Sequence, residues 1–279
     1  MKSKVPFVSI LLNLITIPLL LFFLIFYDIP HQAVEKVYYW FKYETSHVPP
    51  KEISCENIPT EKLMVAATFG QSNAANLGGT PLPEIEKVFQ FYKGRCYLAK
   101  DPLLGAAGHR GSVWTRLGKK VVSSGMYDNV LFLSNAIGTT EIAKWECGSS
   151  ATQNLINSIK ELKNKKFRPT HLMWHQGERD NFKRTSKENY KKSFLDMLSC
   201  VRVHTKAPVM VSVASYRFGV VNGNIREAQR ELVDFTQNIF PGPDTDTLDQ
   251  TYRRDNTHFN DLGLDRFAEL WLEKIRSLP

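Results

Sequence analysis

Leu63-Met64-Val65-Ala66-Ala67-Thr68-Phe69-Gly70-Gln71-Ser72-Asn73 passes from an unbroken apolar stretch into a glycine and then a hydroxyl. An apolar run of this length, closed by turn residues, reads as a strand buried on both faces, as in a parallel sheet. Such a strand delivers its last side chains to the rim of an open α/β sheet, where ligands bind. Gly70 permits a tight turn that a Cβ would resist. Ser72, just past it, is placed to act as a nucleophile. A Gly/Ser/Asn cluster after a strand is also an ordinary turn, so the meaning of Ser72 depends on what else reaches the same rim.

Outward from this run the chain alternates. Strands are expected at residues 63–69, 130–136, 170–175 and 209–214, with a further one at 246–248. Helical periodicity falls between them at 113–124, 152–165, 187–204 and 225–238, and a last helix spans 261–276. This order predicts an α/β fold in three layers, a parallel sheet with helices on both faces. The stretch 76–127 offers few convincing elements before its helix and carries Gly105-Ala106-Ala107-Gly108-His109-Arg110-Gly111-Ser112-Val113-Trp114. Long loops often carry function, which makes His109, Arg110 and Trp114 candidates for shaping a substrate pocket. The other reading is a glycine-rich connection into the helix.

Three more polar clusters follow strands. Asn135-Ala136-Ile137-Gly138-Thr139-Thr140 offers the Gly138 N–H as an oxyanion donor. Trp174-His175-Gln176-Gly177-Glu178-Arg179-Asp180 offers the Gln176 amide for the same task. Asp255-Asn256-Thr257-His258 precedes the last helix and holds a base and a carboxylate three residues apart, the pair that a serine nucleophile needs. Alternatively, Asp255 starts a local turn and His258 is a surface residue. Glu178 has two readings as well: it orients the site loop or its histidine, or it pairs with Arg179.

Taken in order, Gly70-Gln71-Ser72-Asn73, Gly138, Gln176-Gly177-Glu178 and Asp255-Asn256-Thr257-His258 resemble the four blocks of the SGNH hydrolase superfamily, and more closely its sialate O-acetylesterase-like branch of carbohydrate acetylesterases. Ile225-Arg226-Glu227-Ala228-Gln229 resembles a helix-start segment of that branch. The similarity spans residues 63–275. Many superfamily members have Gly-x-Asn-Asp in the third block, where this chain has Gln176-Gly177-Glu178. The resemblance implies a flavodoxin-like parallel sheet and a catalytic triad of Ser72, Asp255 and His258. It also implies an oxyanion hole from Ser72, Gly138 and Gln176. His109 and Arg110, from their place in the long loop, and Glu178, from the third block, are the substrate-binding candidates. The implied reaction is removal of an O-acetyl group from a carbohydrate through an acyl-enzyme, with no cofactor and no metal. An O-acetyltransferase using the same triad, or a non-catalytic glycan-binding protein on a hydrolase fold, are the rivals.

The first residues set the location. Residues 7–27 are almost wholly apolar and long enough to cross a bilayer as a helix. Lys2 and Lys4 precede them and Asp28 follows, which puts residues 1–6 in the cytoplasm and the remainder outside. No small-x-small cleavage pattern follows, so an uncleaved signal anchor is expected. Residues 28–54 form a juxtamembrane linker containing Tyr38-Tyr39-Trp40-Phe41-Lys42-Tyr43, either a headgroup-zone helix or one packed on the domain, and Pro49-Pro50 marks the boundary. Residues 55–279 are then the esterase domain, on the extracytoplasmic side of a single-pass membrane protein.

Composition supports this division. The 279 residues are 43% hydrophobic and 23% charged, ordinary for a globular protein. A net charge of +8 does not imply nucleic acid, because its densest run, Lys160-Glu161-Leu162-Lys163-Asn164-Lys165-Lys166, closes an amphipathic helix, where the macrodipole favours cations. Cys55, Cys96, Cys147 and Cys200 follow no metal-binding spacing. An oxidising compartment would allow two disulfides in any of three pairings, with free buried thiols as the other reading, above all for Cys200.

Overall fold

The computed structural model of the chain describes residues 49–279. The expected cytoplasmic segment, membrane anchor and aromatic juxtamembrane stretch lie outside the described residues. Among the described residues no helix is long and apolar enough to cross a membrane.

Among the described residues eight strands, β1 (Glu52–Ile53), β2 (Leu63–Gly70), β3 (Ile85–Tyr92), β4 (Arg95–Ala99), β5 (Asn129–Ala136), β6 (His171–His175), β7 (Val209–Val213) and β8 (Ile239–Asp244), form one sheet in the order β1-β4-β3-β5-β2-β6-β7-β8. From β3 to β8 every neighbouring pair is parallel, while β4 runs antiparallel to β3 and β1 antiparallel to β4. The run β5-β2-β6-β7-β8 is a flavodoxin-like order. Its topological switch lies at β2 and β6, where the chain leaves β2 for one side and returns on the other. Residues 51–53 lie on the sheet rather than in a linker: Glu52 and Ile53 pair with β4, and the Lys51 carbonyl accepts from Leu98 N at 2.9 Å.

Alternation along β2 sorts its side chains between two cores. Val65, Ala67 and Phe69 face α2 (Ser150–Asn164), α4 (Lys187–Arg202) and α5 (Gly223–Glu231), where Trp174 packs among Phe69, Trp145 and Phe194. Met64 and Ala66 face α1 (Val113–Ser123) and α6 (Asp261–Arg276), where Trp114, Phe267 and Trp271 form an aromatic cluster. The fold is the three-layer α/β arrangement expected of an SGNH hydrolase. Ser112, Ser149, Ser186, Asn222 and Asn260 each cap the helix that follows by accepting a backbone N–H, so these positions fix where the helices begin.

Three expectations change. The region 76–127 contains the hairpin of β3 and β4, which turns on Lys93 and Gly94, with φ of 47° and 74°. Those angles suit a two-residue type I′ turn. The helix expected at 225–238 stops at Glu231, since Asp234 caps a separate 3-10 turn and Asn238 takes a left-handed φ of 59°. The last strand is Ile239–Asp244 and not 246–248, which form part of a 3-10 turn and its end. Pro241 and Pro243 hid this strand. They are tolerated because β8 is the sheet's edge, where a missing N–H leaves no ladder bond broken.

All four cysteines pair. Cys55–Cys96 ties the start of the domain to β4, and Cys147–Cys200 ties the segment before α2 to α4. The free-thiol reading of Cys200 is therefore set aside, its Cα lying 5.7 Å from that of Cys147.

Candidate active site

β2 ends where its neighbours hold it. Ile137 N donates to Gly70 O at 2.9 Å and Gln71 N donates to His175 O at 3.1 Å. Gly70 has a φ of 135°, and a Cβ there would sit 2.0 Å from the His175 oxygen, so only glycine lets the chain turn here. The turn continues as the short 3-10 helix Ser72–Ala74, whose first N–H groups have no partner within the helix. The indole N–H of Trp114 donates to Ala74 O at 2.7 Å from inside the core. Trp114 thus supports the serine turn from beneath and does not shape a pocket.

The last block forms a tight loop. Asp255 Oδ1 accepts from Thr257 N at 3.1 Å and from His258 N at 2.7 Å, while Oδ2 lies 2.7 Å from His258 Nδ1. One carboxylate therefore organises the local turn and holds the imidazole, so the two readings of Asp255 coexist. Partial burial opposes its ionisation, but the His258 hydrogen bonds and the Arg254 charge outweigh it and hold the carboxyl below the usual range. Beneath the loop, the buried Arg253 donates to Leu248 O, Thr257 O and Thr245 O at 3.0, 2.5 and 3.0 Å. Its guanidinium lies between the rings of Tyr216 and Phe259. Asn256, at a φ of 58°, joins this loop to the one after β7 by accepting from Phe218 N at 2.9 Å and from Tyr216 Oη at 2.8 Å.

The third block has a different role from the expected one. Gln176 is fully buried, and its Nε2 donates to Thr140 O at 2.9 Å, to Gln71 Oε1 at 3.2 Å and to Asp180 Oδ2. Its amide N–H groups are thus spent on the scaffold and not aimed at a bound ester. Gln71 takes the cavity-lining position instead. Its Oε1 also accepts from Gly177 N at 3.3 Å and Arg179 N at 3.1 Å, which leaves Nε2 as its donating end. Gln229, from the segment resembling a helix start, donates to Gln176 O at 2.7 Å and Ala214 O at 3.1 Å. It locks the ends of β6 and β7 together.

Glu178 begins α3 (Glu178–Lys183) and is 2% exposed. Its Oε1 accepts from Asn73 Nδ2 at 2.7 Å, while Oε2 has no hydrogen-bond partner. Burial pushes its pKa up against the opposing bond from Asn73. Of the two readings of Glu178, the contact with the serine turn agrees with the first, while Arg179 faces Glu141, at 4.0 Å, instead of Glu178. His175 is buried beside Phe267, its pKa lowered to about 3 by burial and by the Arg253 charge, so it stays neutral and serves the core.

Ser72, Asp255 and His258 line one cavity of about 170 Å³, together with Gln71, Glu178 and Thr139. The alternating strands bring these residues to one rim from positions far apart in sequence. Gly138 adjoins Thr139 but is not among the lining residues. His109 and Arg110 are not among them either, and the Arg110 Nε donates to Gly78 O at 2.8 Å. The cavity is completed by Thr257, Arg179, Arg217 and Phe218; the sequence motifs gave Arg179 only as a partner for Glu178 and did not mark Arg217 or Phe218. β7 ends at Val213, so the strand-end rule that singled out Ser72 applies equally to the residues after it. Among the described residues no group of His, Cys, Asp and Glu is arranged to hold a metal ion.

The family described as carbohydrate esterase, sialic acid-specific acetylesterase, matches residues 65–276. No curated protein matches the sequence. Among solved structures, a protein from Arabidopsis thaliana is 18% identical with a TM-score of 0.64, over 83% of this chain and 100% of that one. NanS is 16% identical with a TM-score of 0.54, over 81% of this chain and 100% of its own. A carbohydrate acetylesterase from Xanthomonas citri is 15% identical with a TM-score of 0.50, over 76% of this chain and 56% of its own. At these identities the three structures support the shared fold.

Proposed function

The chain belongs to the sialic acid-specific acetylesterase family of carbohydrate esterases and is a carboxylic ester hydrolase; from that premise we propose that it removes O-acetyl groups from a carbohydrate by a serine mechanism. Ser72 is the nucleophile, His258 the general base and Asp255 the residue that fixes the imidazole tautomer. The observation that carries the proposal is the 2.7 Å contact from Asp255 Oδ2 to His258 Nδ1 beside a cavity that Ser72 shares.

In this mechanism His258 Nε2 takes the Ser72 Oγ proton as Oγ bonds to the acetyl carbon. The resulting oxyanion is held by the Ser72 and Gly138 N–H groups, with Gln71 Nε2 in the role first expected of Gln176. The carbon–oxygen bond to the sugar breaks, and His258 returns the proton to the sugar oxygen. Water, deprotonated by His258, then attacks the acetyl-serine, releasing acetate and restoring Ser72. The substrate assigned here is an acetylated carbohydrate.

We further propose that residues 7–27 anchor the protein in a membrane with the esterase domain outside the cytoplasm. The two disulfides support that reading, because such bonds persist mainly in oxidising compartments. Ser72→Ala tests the mechanism: acetate release from an acetylated chromogenic ester should vanish while the circular dichroism melt stays at the wild-type temperature. Undiminished release would remove Ser72 from the chemistry.

A further inference from the structure

Two cavities meet at Arg217 and Phe218. These residues line the catalytic cavity and also a second one of about 620 Å³, whose wall includes Phe182, Arg184, Val220 and Asn224. Sites that enclose a whole small-molecule ligand hold about 300–1,000 Å³. The 170 Å³ around Ser72 falls short of that range, while the neighbouring cavity lies well inside it. A ligand larger than the first cavity continues past Arg217 and Phe218 into the second.

The aromatic rings at this junction are displayed instead of buried, Phe182 being 59% exposed and Phe218 61%. Phe218 takes a φ of 49°, in the left-handed region that bulky residues rarely enter. With Gly219, at 83°, it forms the centre of a two-residue turn closed by Arg217 N to Val220 O at 2.9 Å and Val220 N to Arg217 O at 3.0 Å. Asn, Asp or Gly are the residues that suit this position. Such strain collects at ligand sites and persists where the surroundings enforce it. Here they do: Phe218 N donates to Asn256 O at 2.9 Å, and Asn181 Nδ2 donates to Ser215 O and Val220 O at 2.7 and 2.9 Å. The Phe218 ring therefore stands on a fixed turn.

One guanidinium joins the two rings, since Arg217 Cζ lies 4.3 Å from the Phe182 centroid and 4.9 Å from that of Phe218. Arg217 Nη1 is buried without a hydrogen-bond partner, which leaves a donor for a ligand oxygen at the junction. The second cavity thus sets ring faces beside the exposed polar ends of Arg184 and Asn224. A pyranose matches that combination, with C–H groups on a face and hydroxyls around its rim. A lipid chain would cover the polar ends without pairing them.

We propose that the second cavity is a subsite for the sugars linked to the acetylated one, with Phe182 and Phe218 as stacking platforms, so that the enzyme prefers an acetylated residue within a glycan chain to a free acetylated sugar. This rests on the esterase reading of Ser72. The acetyl group enters toward Ser72 and His258, the linkage passes Arg217, and the following sugars lie against the two rings. Binding energy from those remote sugars is then realised at the reacting ester.

The test uses a sialic acid with one O-acetyl group, presented as its methyl glycoside and as the terminal residue of sialyllactose. The ester is the same and only the attached sugars differ. The wild type should show a kcat/KM higher by roughly tenfold for the trisaccharide, the upper end of what one stacking contact provides. Phe182→Ala and Phe218→Ala should each cut that ratio at least several-fold, whereas Phe235→Ala, an exposed ring in the 3-10 turn before β8, should keep it. A wild-type ratio near one, or a ratio that survives both substitutions, would overturn the subsite. If the wild type releases acetate from neither compound, the esterase reading fails, and calorimetric titration with sialyllactose and with the methyl glycoside of sialic acid decides the subsite by itself. Tighter binding of sialyllactose that is lost in Phe182→Ala supports it, and equal or absent binding rejects it.

Discussion

Asn73 Nδ2 donates to Glu178 Oε1 across 2.7 Å, joining the residue after Ser72 to the first residue of α3. The same amide group donates to Thr257 O at 3.2 Å, one residue before His258. A single asparagine therefore sets the serine turn against both other parts of the site. Asn73→Ala should leave Glu178 buried without its donor, costing about 1–3 kcal/mol of stability. Glu178→Gln can still accept from Asn73 and, because burial already favours the neutral acid, should be the milder change. Urea denaturation of the two variants should rank them in that order, and the reverse ranking would mean that Glu178 is needed as an anion.

Asp255→Asn should keep the loop, because the amide oxygen can still accept the Thr257 and His258 backbone N–H groups that now reach Oδ1. Its NH2 group would face His258 Nδ1 as a donor and favour the wrong tautomer. A fall in kcat of about ten-thousand-fold is expected, with KM little altered. Steady-state kinetics on a chromogenic acetyl ester measures both, and a loss confined to KM would contradict the orienting role.

Arg253→Lys should be damaging although it keeps the charge. Three carbonyls, those of Thr245, Leu248 and Thr257, converge on one planar guanidinium held between Tyr216 and Phe259. A lysine presents one compact ammonium and cannot reproduce that fork. Loss of two of the three bonds would cost about 3 kcal/mol. The Thr257 carbonyl lies between Asp255 and His258, so kcat should fall with stability, as chemical denaturation and kinetics in parallel would show.

His171 is 3% exposed, and burial lowers its pKa from 6.5 to about 4. Between those values the unfolded chain binds a proton that the folded chain does not, so stability is full above pH 6.5 and declines as the pH falls toward 4. His171→Gln removes this term. Relative to wild type the variant should therefore gain about 2 kcal/mol on going from pH 7.5 to pH 5. Denaturation midpoints at the two pH values give the difference, and parallel shifts in both proteins would show that His171 is not responsible.

The rim location of Ser72 was legible because it follows from two robust signals, an apolar run of strand length and the polar residues that end it. The spacing of Asp255 and His258 already put them on one turn. The direction of the Gln176 amide was not legible, since it depends on Asp180 from the turn of helix that follows and on the Thr140 carbonyl from another strand's end. Arg217 and Phe218 carry no motif and sit in a four-residue turn whose ends, Arg217 and Val220, bridge each other. Only the fold shows that this turn leans on Asn256. The β3–β4 hairpin escaped notice because Glu86 and Lys87 break the apolar pattern and Lys87 takes a φ of 61° next to an irregular pairing.

The two prolines of β8 bear on more than strand recognition. A parallel sheet ordinarily leaves a row of free N–H and C=O groups along each border, a template on which another chain can polymerise. Here one border strand lacks two of its donors, and the other, β1, is only two residues long. Neither border of the sheet gives an incoming strand a long ladder to extend, so the domain is guarded against runaway strand addition on the very element whose composition made it look least like a strand.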